Sequence, residues 1–104
     1  MNNTILFEKN NNPRKNDAKI NLTLQHIFSK LTREQVGGIV FIRETFFSIS
    51  ISNIMFSLDY DTIKEIKIEH FSDFFEISIW HGQAEYLTIK IKGKYSKDIK
   101  EVTL

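Results

Sequence analysis

The chain contains no cysteine, which excludes disulfide scaffolds, thiolate zinc sites and cysteine nucleophiles. Proline occurs once, at Pro13, and glycine four times. The one glycine pair, Gly37-Gly38, is followed by neither GxxxxGK[ST] nor GxGxxG, so the sequence carries no phosphate loop. Neither sign of charge dominates: 14 Lys and Arg stand against 13 Asp and Glu, a net charge of +1. That balance argues against nucleic-acid binding by bulk basicity, and no sequence-specific nucleic-acid partner is expected. No apolar stretch approaches the ~18 residues of a membrane span, so no transmembrane segment is expected. Near Met1 the longest apolar run is Ile5-Leu6-Phe7, well short of the roughly 7–15 residues of a secretory signal. A cytoplasmic location is the expectation.

What is present suits one small domain. The 104 residues are 41% hydrophobic and 26% charged, enough for a single modest core. Asn10 to Asn16 is a polar run with nothing to bury. Residues 1–18 are therefore expected to form a flexible polar arm, and residues 19–104 a single globular domain. Ile, Lys and Asn together supply 35 residues. All three have A/T-rich codons, which points to an A/T-rich genome such as that of a low-G+C bacterium or its phage.

Residues 17–38 carry two patterns. Ile20, Leu24, Ile27, Phe28 and Leu31 recur at helical spacing. Ile20, Leu22 and Leu24 also alternate with polar residues, as in a strand. A helix over at least residues 23–36 is expected, stopped by Gly37-Gly38, while residues 19–25 stay open between strand and helix. Beyond Gly38 the period falls to two. Ile39–Arg43 reads as a strand buried on both sides. Phe47, Ile49 and Ile51 alternate with serines, giving one apolar and one hydroxyl face. The next apolar set is Ile54, Phe56 and Leu58, so parity slips and Ser52-Asn53 must be a turn or bulge. Ile66, Ile68 and His70 alternate next, with a turn near Ser72-Asp73.

The last hairpin is specified most tightly. Phe75, Ile77 and Ile79 must share an inward face with Leu87, Ile89 and Ile91. This predicts the pairs Ile79–Leu87, Ile77–Ile89 and Phe75–Ile91. The outer face then pairs Trp80 with Tyr86, Ser78 with Thr88, and Glu76 with Lys90, each favourable by roughly 0.2–1 kcal/mol. The loop is Gly82-Gln83-Ala84, closed by His81 and Glu85. Ser96 can cap a short C-terminal helical turn carrying Ile99 and Val102. The expected fold is α+β, mostly β: a curved antiparallel sheet or small barrel of 5–7 strands with one N-terminal helix. Beside the six inward hairpin residues, the expected core is Leu24, Ile27, Phe28, Leu31, Val40, Ile42, Phe47, Ile49, Ile51, Phe56, Leu58, Ile66 and Ile68.

No constellation of residues carries catalytic chemistry. His26, His70 and His81 sit in no metal or acid–base motif, and the reading is no catalytic set, no metal and no cofactor. Charge is segregated, however. Residues 59–85 carry seven acids and two lysines, whereas residues 86–104 carry five lysines and two acids. Two surfaces follow. One is a candidate interaction surface of Trp80, His81, Tyr86, Lys90, Lys92, Lys94 and Lys97, where exposed aromatics and lysines suit a protein or lipid-headgroup partner. Lysines also protect an edge strand, and the aromatics also suit cover by the N-terminal helix. The other is an acidic face of Asp59, Asp61, Glu65, Glu69 and Asp73.

Three stretches resemble the pleckstrin-homology-like superfold, in particular GRAM-type and bacterial PH-like domains. They are GIVFIRETFFSI at 38–49, FSLDYDTIKEIKI at 56–68, and the paired FFEISIW and YLTIKIK at 74–80 and 86–92. Asp59 stands where that family often has proline, and little chain remains for its capping C-terminal helix. The resemblance implies a domain that binds lipid headgroups or protein peptides and does not catalyse. The expected function is a non-enzymatic interaction module for a protein or lipid-headgroup partner. The alternative is a small phage- or mobile-element-encoded inhibitor or immunity-type protein that blocks a larger host protein. A homo-oligomer in which a strand edge pairs with its copy remains open from the sequence.

Overall fold

A computed structural model describes residues 3–7, 14–82 and 85–92. It is mostly β. The elements run β1 (Asn3–Leu6), α1 (Asp17–Phe28), α2 (Arg33–Val36), β2 (Gly38–Ile42), β3 (Phe46–Ile51), β4 (Ile54–Asp59), a 3-10 turn (Tyr60–Thr62), β5 (Ile63–His70), β6 (Phe74–His81) and β7 (Glu85–Lys92). They form two antiparallel sheets, ordered β1-β5-β6-β7 and β2-β3-β4, and neither closes into a barrel.

The two hairpins follow from local chemistry. At Ser52 and Asn53 both φ angles are positive, 51° and 65°. That is the two-residue turn whose twist matches its strands. It pairs Ile51 with Ile54, Ile49 with Phe56 and Phe47 with Leu58, which absorbs the parity slip. The β6–β7 register is the expected one, from Phe75–Ile91 through Ile79–Leu87 and Trp80–Tyr86 to His81–Glu85. Gly82 opens its loop at φ 63°.

The core lies between the inner faces of the sheets and α1. Ile20, Leu24 and Ile27 of α1 meet Phe47 and Ile49 of β3, Ile66 and Ile68 of β5, and Phe75, Ile77, Ile79, Ile89 and Ile91 of the last hairpin. Burying each such side chain contributes roughly 1.5–3 kcal/mol.

Several expectations need correction. The first eighteen residues are not simply a polar arm. Asn3–Leu6 pair with β5 from Ile68 to Glu65, Phe7 is buried, and α1 begins at Asp17. The hydrophobic side chains Ile5 and Phe7 give this short segment enough to bury. The helix does not run unbroken over 23–36. It starts earlier, so residues 19–25 are helical, and it stops at Phe28. Thr32 then caps a separate turn: its Oγ1 accepts from Gln35 N–H at 3.2 Å, and Gln35 Oε1 accepts from Thr32 N–H at 2.9 Å. This reciprocal box competes with continuing the first helix. Gly37, left-handed at φ 77°, ends that turn.

β2 is an edge strand. Ile39 and Phe41 point to the face of β2 opposite Val40 and Ile42, away from the core, and remain 37% exposed, so the strand is not buried on both sides. Phe56 is 44% exposed because β4 is the other edge of the same sheet. The core also takes Phe7, Ile20, Val36, Tyr60 and Ile63. The proposed C-terminal helical turn lies outside the described residues.

Candidate functional site

The site begins with the edge position of β2. Arg43 N–H donates to the Phe46 carbonyl at 2.9 Å, and the register continues through Phe41–Ser48 and Ile39–Ser50. Antiparallel ladders alternate, so Ile39, Phe41 and Arg43 direct their backbone groups at β3. Val40 and Ile42 therefore direct theirs to the open side, where no strand of the described residues pairs with them. Gly38 has to be glycine, since a Cβ there would stand 2.2 Å from the Ser50 carbonyl oxygen.

Beside this edge runs a groove of about 470 Å³ between β2, the end of α1 and α2. Phe28, Leu31 and Val36 form its apolar wall, and Gly38 to Ile42 form the opposite one. Phe28 is fixed from behind by stacking on Phe47, with ring centroids 6.0 Å apart. Arg33 is the one charged residue among those lining the groove. It sits in the turn that the Thr32–Gln35 box holds, and among the described residues no carboxylate pairs with it. The groove follows about five residues of strand, or ~16 Å.

One end of β2 is clasped. The Tyr60 hydroxyl and Asn21 Nδ2 both donate to the Arg43 carbonyl, each at 2.6 Å. This ties the end of the strand to α1 and to the 3-10 turn. Burial pushes the Tyr60 phenol above its ordinary pKa, against a smaller lowering by Asn21. Nearby, Arg14 holds Asp59 through both terminal guanidinium nitrogens, Nη1 donating to Oδ1 and Nη2 to Oδ2 at 3.0 Å. That hydrogen bond holds the Asp59 carboxyl below its ordinary range.

The residues singled out from the sequence are distributed over several places. Trp80 and Tyr86 do meet, stacked with centroids 6.0 Å apart. They lie on the outer face of the four-stranded sheet, with Lys64 over the Trp80 ring at 5.6 Å. His81 points to the opposite face, since it follows the parity of Phe75, Ile77 and Ile79. It lines a recess with Phe56, Leu58 and Leu87, 4.0 Å from Glu85. Lys90 shares the face of Trp80 but lies over the Phe74 ring at 4.1 Å, towards the other end of the strand. Lys92 pairs with Phe74 in the ladder, and Lys94 and Lys97 lie outside the described residues.

The acids are similarly divided. Asp59 caps the 3-10 turn and Asp61 lies within it, Asp73 lies in the β5–β6 turn, and Glu65 and Glu69 sit on β5. Asp59 is held by Arg14 and Glu69 by Lys67 at 3.1 Å. Glu65 accepts from the Tyr86 hydroxyl at 3.4 Å. Among the described residues no three His, Asp or Glu side chains converge as metal ligands would. No helix among them is long and apolar enough to cross a membrane. Of the groove residues, the sequence reading places Phe28, Leu31, Val40 and Ile42 in the core and does not single out Val36 or Arg33; the signal that marks the groove is the Thr32-x-x-Gln35 box, which separates α2 from α1.

No family model, no curated protein and no solved structure matches the chain.

Proposed function

We propose that this chain is a non-enzymatic interaction module that captures an extended segment of a partner protein by adding it as a strand to the open edge of β2. The observation that carries this reading is the placement of the outward backbone groups of Val40 and Ile42 beside an apolar groove with a single cation. Strand addition supplies main-chain hydrogen bonds for affinity, and flanking side chains select the sequence. Phe28, Leu31 and Val36 suit apolar side chains at alternate positions of the segment. Arg33 suits a carboxylate next to them. The likeness of residues 38–92 to pleckstrin-homology-like domains points the same way, because those are binding modules. A headgroup reading has less support, since Lys90 lies over Phe74 and faces Glu76. An inhibitor of a larger protein is one setting for the module, the captured segment then belonging to the protein it blocks.

The test is selection from a displayed random-peptide library, followed by titration of the enriched peptides against variants. Wild type is expected to enrich extended apolar peptides with an acidic residue. Arg33→Glu is expected to select against that acid. Val40→Pro removes an outward N–H but no β3 bond, which an edge strand tolerates. It should keep the wild-type circular dichroism and weaken binding at least tenfold. Failure to enrich any peptide, or binding unchanged by Val40→Pro, would overturn the proposal.

A further inference from the structure

The second edge of the three-stranded sheet has different chemistry. β4 reads Ile54-Met55-Phe56-Ser57-Leu58-Asp59, and Ile54, Met55 and Phe56 are 57%, 58% and 44% exposed. Natural edge strands are usually blunted with lysine, proline, a bulge or a covering element. β4 has no lysine or proline, and its register with β3 is unbroken over all six residues. Its sole charge, Asp59, is already held by Arg14.

We infer that two copies of this chain pair through β4, joining their three-stranded sheets into one six-stranded sheet. The two-residue turn makes Ile51–Ile54 a hydrogen-bonded pair, and Tyr60 N–H donates to the Thr45 carbonyl at 2.9 Å in the same phase. Ile54, Phe56 and Leu58 therefore bond to β3, and Met55 and Ser57 direct their backbone groups outward. An antiparallel copy placed about a two-fold axis at Phe56 exchanges bonds between Met55 and Ser57 of opposite chains. On the inner face it sets Phe56 against Phe56 and Ile54 against Leu58. On the outer face Asp59 falls opposite Asn53, so no like charges meet. Shifting the axis to Met55 sets Leu58 against Ser52, and shifting it to Ser57 sets Asp59 against Met55. The strand is thus self-complementary in one register.

The occupant is a second copy for that reason, and the small surface available limits how tightly it binds. The three half-exposed side chains leave roughly 300 Å² of apolar surface per subunit, against about 800 Å² per partner in a standard interface. The pair is accordingly a weak, concentration-dependent one. It also covers the recess of about 500 Å³ beside β4, lined by Phe56, Leu58, His81, Glu85 and Leu87 among others. The β2 edge stays free, so this inference does not rest on the peptide-capture reading.

The test uses the full chain in analytical ultracentrifugation from about 10 μM to 1 mM. The weight-average mass should rise from 12.2 kDa towards twice that value. Phe56→Lys places like charges across the axis and should remain monomeric throughout, with unchanged circular dichroism. In a cysteine-free chain, Phe56→Cys should cross-link to itself on oxidation, because a non-hydrogen-bonded pair brings Cα atoms to ~4.5 Å. Met55→Cys and Ser57→Cys should each cross-link at least tenfold more slowly, because each faces the other position. The inference is overturned by a wild type that stays monomeric at 1 mM. It is equally overturned if Phe56→Lys self-associates like wild type, or if Met55→Cys cross-links as fast as Phe56→Cys.

Discussion

Replacing Tyr60 by phenylalanine removes one oxygen from the clasp that holds the end of β2. The ring is 1% exposed and its packing is kept. What is lost is a 2.6 Å O–H···O bond to the Arg43 carbonyl and a long contact from Asn21 at 3.4 Å. The carbonyl keeps Asn21 as a donor, so no backbone acceptor is orphaned. The expected loss is therefore the net value of one hydrogen bond, about 1 kcal/mol. For a domain of this size that lowers Tm by roughly 4–8 °C, measurable by urea titration and thermal melts at neutral pH.

The sign of the pH dependence is also fixed. Burial raises the Tyr60 pKa in the folded state, so the unfolded chain ionises first. The stability due to the neutral phenol is fully present below pH ~10 and falls as pH rises through the folded value. Tyr60→Phe lacks this loss, so the gap between wild type and variant should narrow above pH ~10. A variant as stable as wild type at neutral pH, or a gap that widens in alkali, would refute this account of the clasp.

Ile77→Ala removes a fully buried side chain from the centre of the core and should cost about 2–5 kcal/mol in urea unfolding. Gly38→Ala drives a Cβ into the Ser50 carbonyl; β2 must shift, and a loss of roughly 1–3 kcal/mol is expected by the same assay. Ser52→Asn with Asn53→Gly matches residue preference to the two positive φ angles and should stabilise by about 0.5–1 kcal/mol in thermal melts. In acid, the Arg14 hydrogen bond lowers the folded pKa of Asp59, so its stabilisation is present above pH ~4 and lost as pH falls through the lower folded value. Asp17, raised by burial, acts in the opposite sense, gaining on protonation. The Tm difference between wild type and Asp59→Asn should therefore shrink in melts taken from about pH 4 down to pH 2.

The hairpins were legible because side-chain alternation has a period of two: a one-residue slip turns every apolar residue outward. That constraint fixed the pairing of Ile77 with Ile89 and the turn at Ser52-Asn53. The helical region was less legible, since Ile20, Leu22 and Leu24 satisfy both periods and contacts with both sheets decide between them. The break before α2 was written in Thr32-x-x-Gln35, a local signal overshadowed by the apolar spacing of Phe28 and Leu31. Strand order was not legible at all. Nothing in Ile39–Ile42 or Ile54–Leu58 distinguishes a central from an edge strand, because both are apolar on successive residues. Hence Ile39 and Phe41 read as part of a strand buried on both sides and Phe56 as core, and the groove beside β2 stayed hidden. The Trp80–Tyr86 contact was legible from register, whereas the separation of His81 from that face follows from the same parity and was missed.

Amide hydrogen exchange along β2 tests peptide capture most directly. In the free protein Ile39 and Phe41, bonded to β3, should be protected, while Val40 and Ile42 exchange quickly. Saturation with a library-selected peptide should slow Val40 and Ile42 at least tenfold and leave Ile39 and Phe41 little changed. Unaltered exchange at Val40 and Ile42 in the saturated complex would contradict strand addition at this edge.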